Sequence, residues 1–325
     1  MKTIKIKFLL YAFFPVCLLA GCGKGQKCTM TEHITVRNEE VYYYMKGLEK
    51  PFNVLFLSDT HFTIEDERGR EFYDYSKRMG GGAVIPENYG KSNGREQALL
   101  VSLEKAKKED VKLVILGGDI LNFPSLASVD SLKLMLVSSG LNWVYVAGNH
   151  DWHYEGEPGS SFSQREKWTA SNLNDLYQGH NPMFHAQTIQ GVNFVTIDNS
   201  AFEITEEQLQ FFQEQVGKGL PIVLSMHIPV YLPGHNIDYG CGHPDWNSKN
   251  DGYYKIERRE PWSENGFTET TYQFRNLVLN SPEVIGIYAG HTHEEAIDFV
   301  NGKLQYVAAA NYANKDVMIH FVPVD

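Results

Sequence analysis

The sequence predicts an α/β domain, and three observations carry that reading. Short apolar, β-branched runs alternate with helical stretches along most of the chain. Several of the runs end directly on a block bearing Asp or His, with Gly beside many of them. The 325 residues, 42% hydrophobic and 21% charged, suffice for one large domain with a sizeable core, and no internal repeat or change of composition divides them.

The chain opens on Lys2, Lys5 and Lys7, then the apolar run Phe8 to Ala20, then Leu19-Ala20-Gly21-Cys22. A basic segment, a short apolar segment and a small-residue site read as an export signal over residues 1–21, too short to span a bilayer as a mature helix. A Cys directly after Leu-Ala-Gly resembles the bacterial lipobox. That resemblance implies cleavage before Cys22, lipid on its thiol and a lipid-anchored place in the bacterial cell envelope. Residues 22–33 then read as a polar tether and 34–325 as the domain.

Losing residues 1–21 takes the balance from 29 basic and 40 acidic residues to 26 and 40, a net charge of −14. So negative a surface disfavours extended nucleic acid, whose binding rests on Lys and Arg neutralising phosphates. A small anion is not excluded where bound cations supply positive charge. Of four Cys, Cys17 falls in the signal and Cys22 is the expected anchor. An exported location would permit a Cys28–Cys241 disulfide, which nothing in the spacing requires.

Strands are expected at Ile34–Arg37, Val41–Met45 and Phe52–Ser58, the last ending at Asp59. Residues 63–93, charged, aromatic and Gly-rich, read as an insertion loop. A helix follows over Glu96–Glu109, where Leu99, Leu100, Leu103 and Ala106 share a face. Lys112–Leu116 reads as a buried strand ending at Gly118-Asp119, Ser125–Ser138 as a helix, and Trp143–Ala147 as a strand ending at Gly148-Asn149-His150-Asp151. Gln164–Tyr177 reads as a helix and Val192–Ile197 as a strand. Glu206–Val216 reads as a helix capped by Thr205, and Pro221–Met226 as a strand ending at His227. After a second insertion at 231–266 come a helix over Thr271–Leu279, a strand over Val284–Tyr288 ending near Gly290-His291-Thr292-His293, and two or three strands in Lys303–Val324.

The placement of the polar blocks points to chemistry. In α/β sheets ligands bind beyond the carboxyl ends of strands, where side chains from separate loops converge. Asp59, Asp119, Asn149, His227 and His291 each fall just past an expected strand. Together the blocks supply carboxylate, imidazole and amide groups in the number needed to hold two cations around a shared carboxylate. Two cations ~3.5–4 Å apart can clamp the attacking and leaving oxygens of a phosphoester.

In order, the blocks read D-x-H, GD, GNHD, a lone His and GH-x-H, and in that order they resemble the calcineurin-like metallophosphoesterase family over roughly residues 52–322. The resemblance implies a four-layer α/β/β/α sandwich of two mixed sheets. It implies one metal on Asp59, His61, Asp119 and His293, and a second on Asp119, Asn149, His227 and His291, with Asp119 bridging. The donors suit Mn, Fe, Zn or Ni. The implied reaction is attack of a metal-bridging hydroxide on a small phosphoester, with His150 as general acid at the leaving oxygen. Asn122 takes the place where some relatives carry Asp or Tyr, and the missing Tyr departs from the purple acid phosphatases. Asn122 could orient His150 or serve a plain loop hydrogen bond, and Asp151 is expected to fix the local turn. His227-Ile228-Pro229 is similar to a stretch in some phosphodiesterase-like members.

The aromatic segment 231–262 either walls the cleft or packs onto its own domain. In the first case Trp246, Arg258 and Arg259 would contact substrate. One competing reading is a non-catalytic metal-binding scaffold, although every expected ligand is present. Another is a surface ligand-binding lipoprotein using that segment, which leaves the ordered metal-site residues unexplained.

Overall fold

Two central strands show why the apolar runs are continuous. In β3 (Phe52–Leu57) and β4 (Val111–Leu116) successive side chains alternate between two different cores. Leu55, Leu57, Val114 and Leu116 face one side, where Leu99 and Leu103 of one helix and Leu132 and Leu136 of another cover them. Val54, Phe56, Leu113 and Ile115 face the other side, against Phe194, Tyr288, Leu304 and Tyr306 of a second sheet. A strand buried on both faces needs apolar residues at every position. Each such side chain, fully buried, contributes ~1.5–3 kcal/mol relative to exposure.

A computed structural model of the chain describes residues 30–236, 240–246 and 266–325. The first sheet runs in the order β1 (Met30–Arg37), β2 (Glu40–Lys46), β12 (Val317–Val324), β3, β4, β5 (Trp143–Tyr145). The second runs β10 (Ala296–Val300), β11 (Lys303–Val307), β9 (Val284–Ala289), β8 (Ile222–Ser225), β7 (Val192–Ile197), β6 (Phe184–Ile189). Both are mixed: β3, β4 and β5 are mutually parallel, as are β7, β8, β9 and β11. Helices α2 (Glu96–Lys108) and α3 (Leu126–Ser139) cover the outer face of the first sheet. Helices α5 (Glu206–Val216) and α6 (Glu269–Asn280) cover that of the second through Leu209, Phe212, Phe274 and Val278. The layers are therefore α/β/β/α.

Local chemistry sets the helix ends. Thr205 opens α5 with a reciprocal capping box to Gln208. Ser125 accepts from Ser128 N at the start of α3, and Gly140 ends it at φ 69°, a conformation that costs little only without a Cβ.

The structure departs from the sequence reading in five places. The 63–93 segment contains α1 (Tyr73–Gly80) between short 3₁₀ turns, pinned to the core by Phe72, Met79 and buried Val84. The helix read over 164–177 is α4 (Ser161–Ala170), capped by Ser160, followed by a separate 3₁₀ turn at Asn174–Tyr177. Strands β6 and β10 were not anticipated. β1 begins at Met30, so residues 30–33, read as tether, belong to a strand. Among the described residues no helix is long and apolar enough to cross a membrane. The signal segment, Cys22, Cys28, Arg258 and Arg259 lie outside the described residues. Cys241 is buried, and its thiol donates to the Phe202 carbonyl at 3.2 Å.

Candidate metal centre

The polar blocks meet because the parallel ladders continue past the strand ends. Gly117 N donates to Leu57 O at 2.7 Å, Asp59 N to Gly118 O at 2.9 Å and His61 N to Asp119 O at 2.9 Å, locking the loops after β3 and β4 together. The second sheet joins through Gly290 N to His227 O at 2.9 Å and His291 N to Asp59 Oδ2 at 3.0 Å.

The backbone here is strained. Asp59, His61, Asp119, His291 and His293 all have positive φ, from 48° to 73°. Each such non-glycine residue costs on the order of 1 kcal/mol or more, and such residues gather at functional sites. Two glycines make the crowding possible. A Cβ on Gly148 would lie 2.1 Å from Asp119 Oδ1, and one on Gly118, at φ 91°, 2.6 Å from His227 Nδ1.

Two donor clusters result, sharing Asp119: Asp59, His61, Asp119 and His293 form one, and Asp119, His227 and His291 the other. In the first, His61 Nε2 and His293 Nε2 approach to 3.1 Å, with Asp59 Oδ1 3.4 Å from His293 Nε2 and Asp119 Oδ2 3.7 Å from His61 Nε2. In the second, His227 Nε2 lies 3.2 Å from Asp119 Oδ2. Asn149 is buried beside them at 2% exposure. Asp59 Oδ1 and His227 Nε2 are buried with no hydrogen-bond partner of acceptable geometry among the described residues. Buried polar atoms are seldom left so, and an ion is the partner that satisfies both. The mixture of carboxylate and imidazole donors fits a first-row transition cation.

Charge follows the same layout. Burial pushes the Asp59 carboxyl up, but the His293 and His61 imidazoles beside it outweigh this and the group ends well below the carboxylate range. Asp119 behaves likewise: burial raises it and the His227 and His150 charges more than reverse this. Burial lowers His227, yet Asp119 brings it up to about 10. Burial and then the His227 charge hold His291 down to about 3. Such a cluster gives up protons when a cation enters.

The neighbouring residues divide by what they touch. The His150 ring stands edge-on to His61 at 4.6 Å between centroids, its backbone N–H donates to Asp119 Oδ1 at 2.8 Å, and its Nδ1 lies 3.4 Å from Asn122 O. Asn122 thus meets His150 through its backbone carbonyl, while its side chain donates to Met79 O at 3.0 Å. Asp151 accepts from Asp119 N and Gly148 N at 2.7 Å each and from Leu121 N at 2.8 Å, bracing two ligand loops. Burial pushes its carboxyl up to about 7, with the Asp119 charge adding to the rise. Trp246 is 1% exposed and stacks on Phe267 at 4.5 Å, inside the core beneath the second sheet's helices rather than in the cleft. Tyr312, which no motif signalled, places its hydroxyl 3.3 Å from His293 Nδ1, a contact that orients the ring with Nε2 toward the cluster.

No curated protein matches the chain. Among solved structures, a dimetal phosphatase from Danio rerio is 13% identical over 80% of this chain and 88% of that one, with a TM-score of 0.49. A purple acid phosphatase from yellow lupin seeds is also 13% identical, over 82% of this chain but 46% of its own, at 0.47. GAP50 of Plasmodium is 14% identical over 80% and 72%, at 0.43. The family model for calcineurin-like phosphoesterases matches residues 52–295, the span that carries all five polar blocks, and the chain therefore belongs to that family of metal-dependent hydrolases.

Proposed function

We propose that this chain hydrolyses a small phosphoester, mono- or diester, at a two-cation centre on the seven ligands Asp59, His61, Asp119, Asn149, His227, His291 and His293. The observation that carries the reading is the pair of donor clusters meeting at Asp119. Cations bound there would supply Lewis acidity to the phosphoryl group and a low-pKa water.

The chain's own residues do the rest. Asp151 and the ladder bonds hold Asp119 in place between the clusters. His150, half-buried at the edge of the site, faces the Asn122 carbonyl through Nδ1, so its Nε2 is the nitrogen for the leaving oxygen. His227-Ile228-Pro229 favours a diester, through its likeness to phosphodiesterase-like members.

The location belongs to the same proposal: export through residues 1–21, and lipid on Cys22 holding the enzyme at a bacterial membrane. It rests on the basic-apolar-LAGC order of the N-terminus. Labelled fatty acid should enter the wild-type chain expressed in bacteria and not Cys22→Ser.

The activity test is hydrolysis of para-nitrophenyl phosphate and bis-para-nitrophenyl phosphate by the chelator-stripped, manganese-reloaded chain. Metal-dependent release from either ester supports the reading, and the preferred ester sorts mono- from diesterase. No release from either at full metal occupancy would turn the account toward a scaffold.

A further inference from the structure

A cation stands beside this centre without an acidic partner. Arg95 is exposed, just before α2, and among the described residues its guanidinium makes no ion pair and no hydrogen bond, whereas Arg68 pairs with Asp66 and Asp130 and Arg165 with Asp198. It lies over the Tyr312 ring instead, 4.6 Å from its centroid. Tyr312 in turn stands 6.1 Å from the His61 ring and 5.6 Å from the His293 ring. In a chain with 40 acidic against 29 basic residues, an arginine with no ion pair among the described residues, this near the ligands, is informative.

The backbone position is held. Asn93 Nδ2 donates to the His61 carbonyl at 3.1 Å, while its Oδ1 accepts from Thr63 N and Arg95 N at 3.2 Å each. One side chain therefore ties the Arg95 backbone to a ligand's backbone. Tyr312 N reaches Asp59 O at 3.3 Å, tying the platform to another ligand. The guanidinium thus rests on the ring that neighbours both His61 and His293. It is placed to meet a group attached to the phosphoryl under attack rather than that phosphoryl itself. A planar fork resting on an aromatic face matches a carboxylate or phosphate with two parallel hydrogen bonds.

We propose that Arg95, held on Tyr312, binds a second anionic group of the substrate, so that the enzyme selects phosphoesters carrying a carboxylate or further phosphate on one arm. This rests on the phosphoesterase reading and narrows it.

The test is equilibrium binding to the full-length, detergent-solubilised, manganese-loaded chain. The probes are methylphosphonate and 3-phosphonopropionate, which share the phosphonate and differ by a terminal carboxylate. Wild type should bind the second about tenfold tighter, the worth of one charge-assisted pair. In Arg95→Gln that preference should fall to within about twofold with methylphosphonate binding unchanged, and Arg95→Lys, with charge but no fork, should fall between. Thermal melting confirms that the variants remain folded. An unchanged preference in Arg95→Gln, or an equal loss for both probes, overturns the subsite while leaving the phosphoesterase reading intact. No phosphonate binding by loaded wild type overturns both.

Discussion

His61 and His293 bring their Nε2 atoms to 3.1 Å of one another with the rings inclined at 74°. Without a cation the two nitrogens can share at most one proton, across rings that cross steeply. A cation between them and Asp59 converts the crowding into coordination. The folded state alone assembles this geometry, so metal should stabilise the fold. At free manganese a hundred times its dissociation constant the gain is about 2.7 kcal/mol. Chelator-treated protein should melt several degrees lower, and excess manganese should restore the melt. Identical melting with and without metal would count against the cluster as a site.

Gly148 and Gly140 make a matched pair. A Cβ on Gly148 would run into Asp119 Oδ1 at 2.1 Å, whereas one on Gly140, at φ 69°, meets open space. Gly148→Ala should displace the shared carboxylate and cut kcat/KM by about 100-fold or more, as removal of a positioned charged group does. Gly140→Ala should cost about 1 kcal/mol of stability through backbone strain and leave turnover unchanged. Kinetics and denaturant melts on both variants check the contrast.

His150→Ala should lower kcat by about 10²–10⁴-fold, the usual worth of a positioned proton donor, while two metals remain bound. The size should depend on the leaving group. An alkyl phosphate needs its oxygen protonated and should suffer most; para-nitrophenolate leaves without help and should suffer least. A loss independent of leaving-group pKa would assign His150 to phosphate binding instead.

Glu65 offers a pH dependence away from the ligands. Burial pushes its carboxyl from 4.5 up to about 7, against a backbone N–H from Asp66 and the charge of Arg68, while the Asp66 charge works with burial. The folded chain therefore keeps a proton that the unfolded chain releases near 4.5. Stability from this group is full below that pH and falls as pH rises to about 7. Glu65→Gln should match wild type at pH 4.5 and exceed it at pH 8, by on the order of 1–2 kcal/mol after allowing for solvent screening. Melts at the two pH values measure it. A constant difference across the range would remove the titration from the account.

The sequence revealed most where burial forces composition. Phe52–Leu57 and Val111–Leu116 face a core on each side, so their unbroken apolar runs announce strands, and the polar residue that ends each run marks the site. β10 and β6 were hidden because they are sheet-edge strands. In β10 Ile297 and Phe299 are the exposed residues and Asp298 is half-buried, and β6 is only half covered, so neither shows the apolar-in, polar-out pattern. Helix α1 was hidden because a single residue, Ser76, is buried in it and it ends in a run of three glycines, Gly80 to Gly82. The ligands announced themselves through motifs. Tyr312 and Arg95 could not, since only folding brings residues more than 200 positions apart into contact. Trp246 decides between two readings of its segment: it does not wall the cleft but packs onto its own domain, the ring lying on Phe267 behind Phe202, which itself meets His291.

The central claim is that two cations share Asp119, and metal stoichiometry tests it most directly. Manganese titrated into the chelator-stripped chain, counted by calorimetry and elemental analysis, should bind at two per chain in wild type. Asp119→Asn, folded by its melting curve, should hold at most one. Two tightly bound ions in Asp119→Asn, or no more than one in wild type, would contradict the shared-carboxylate centre.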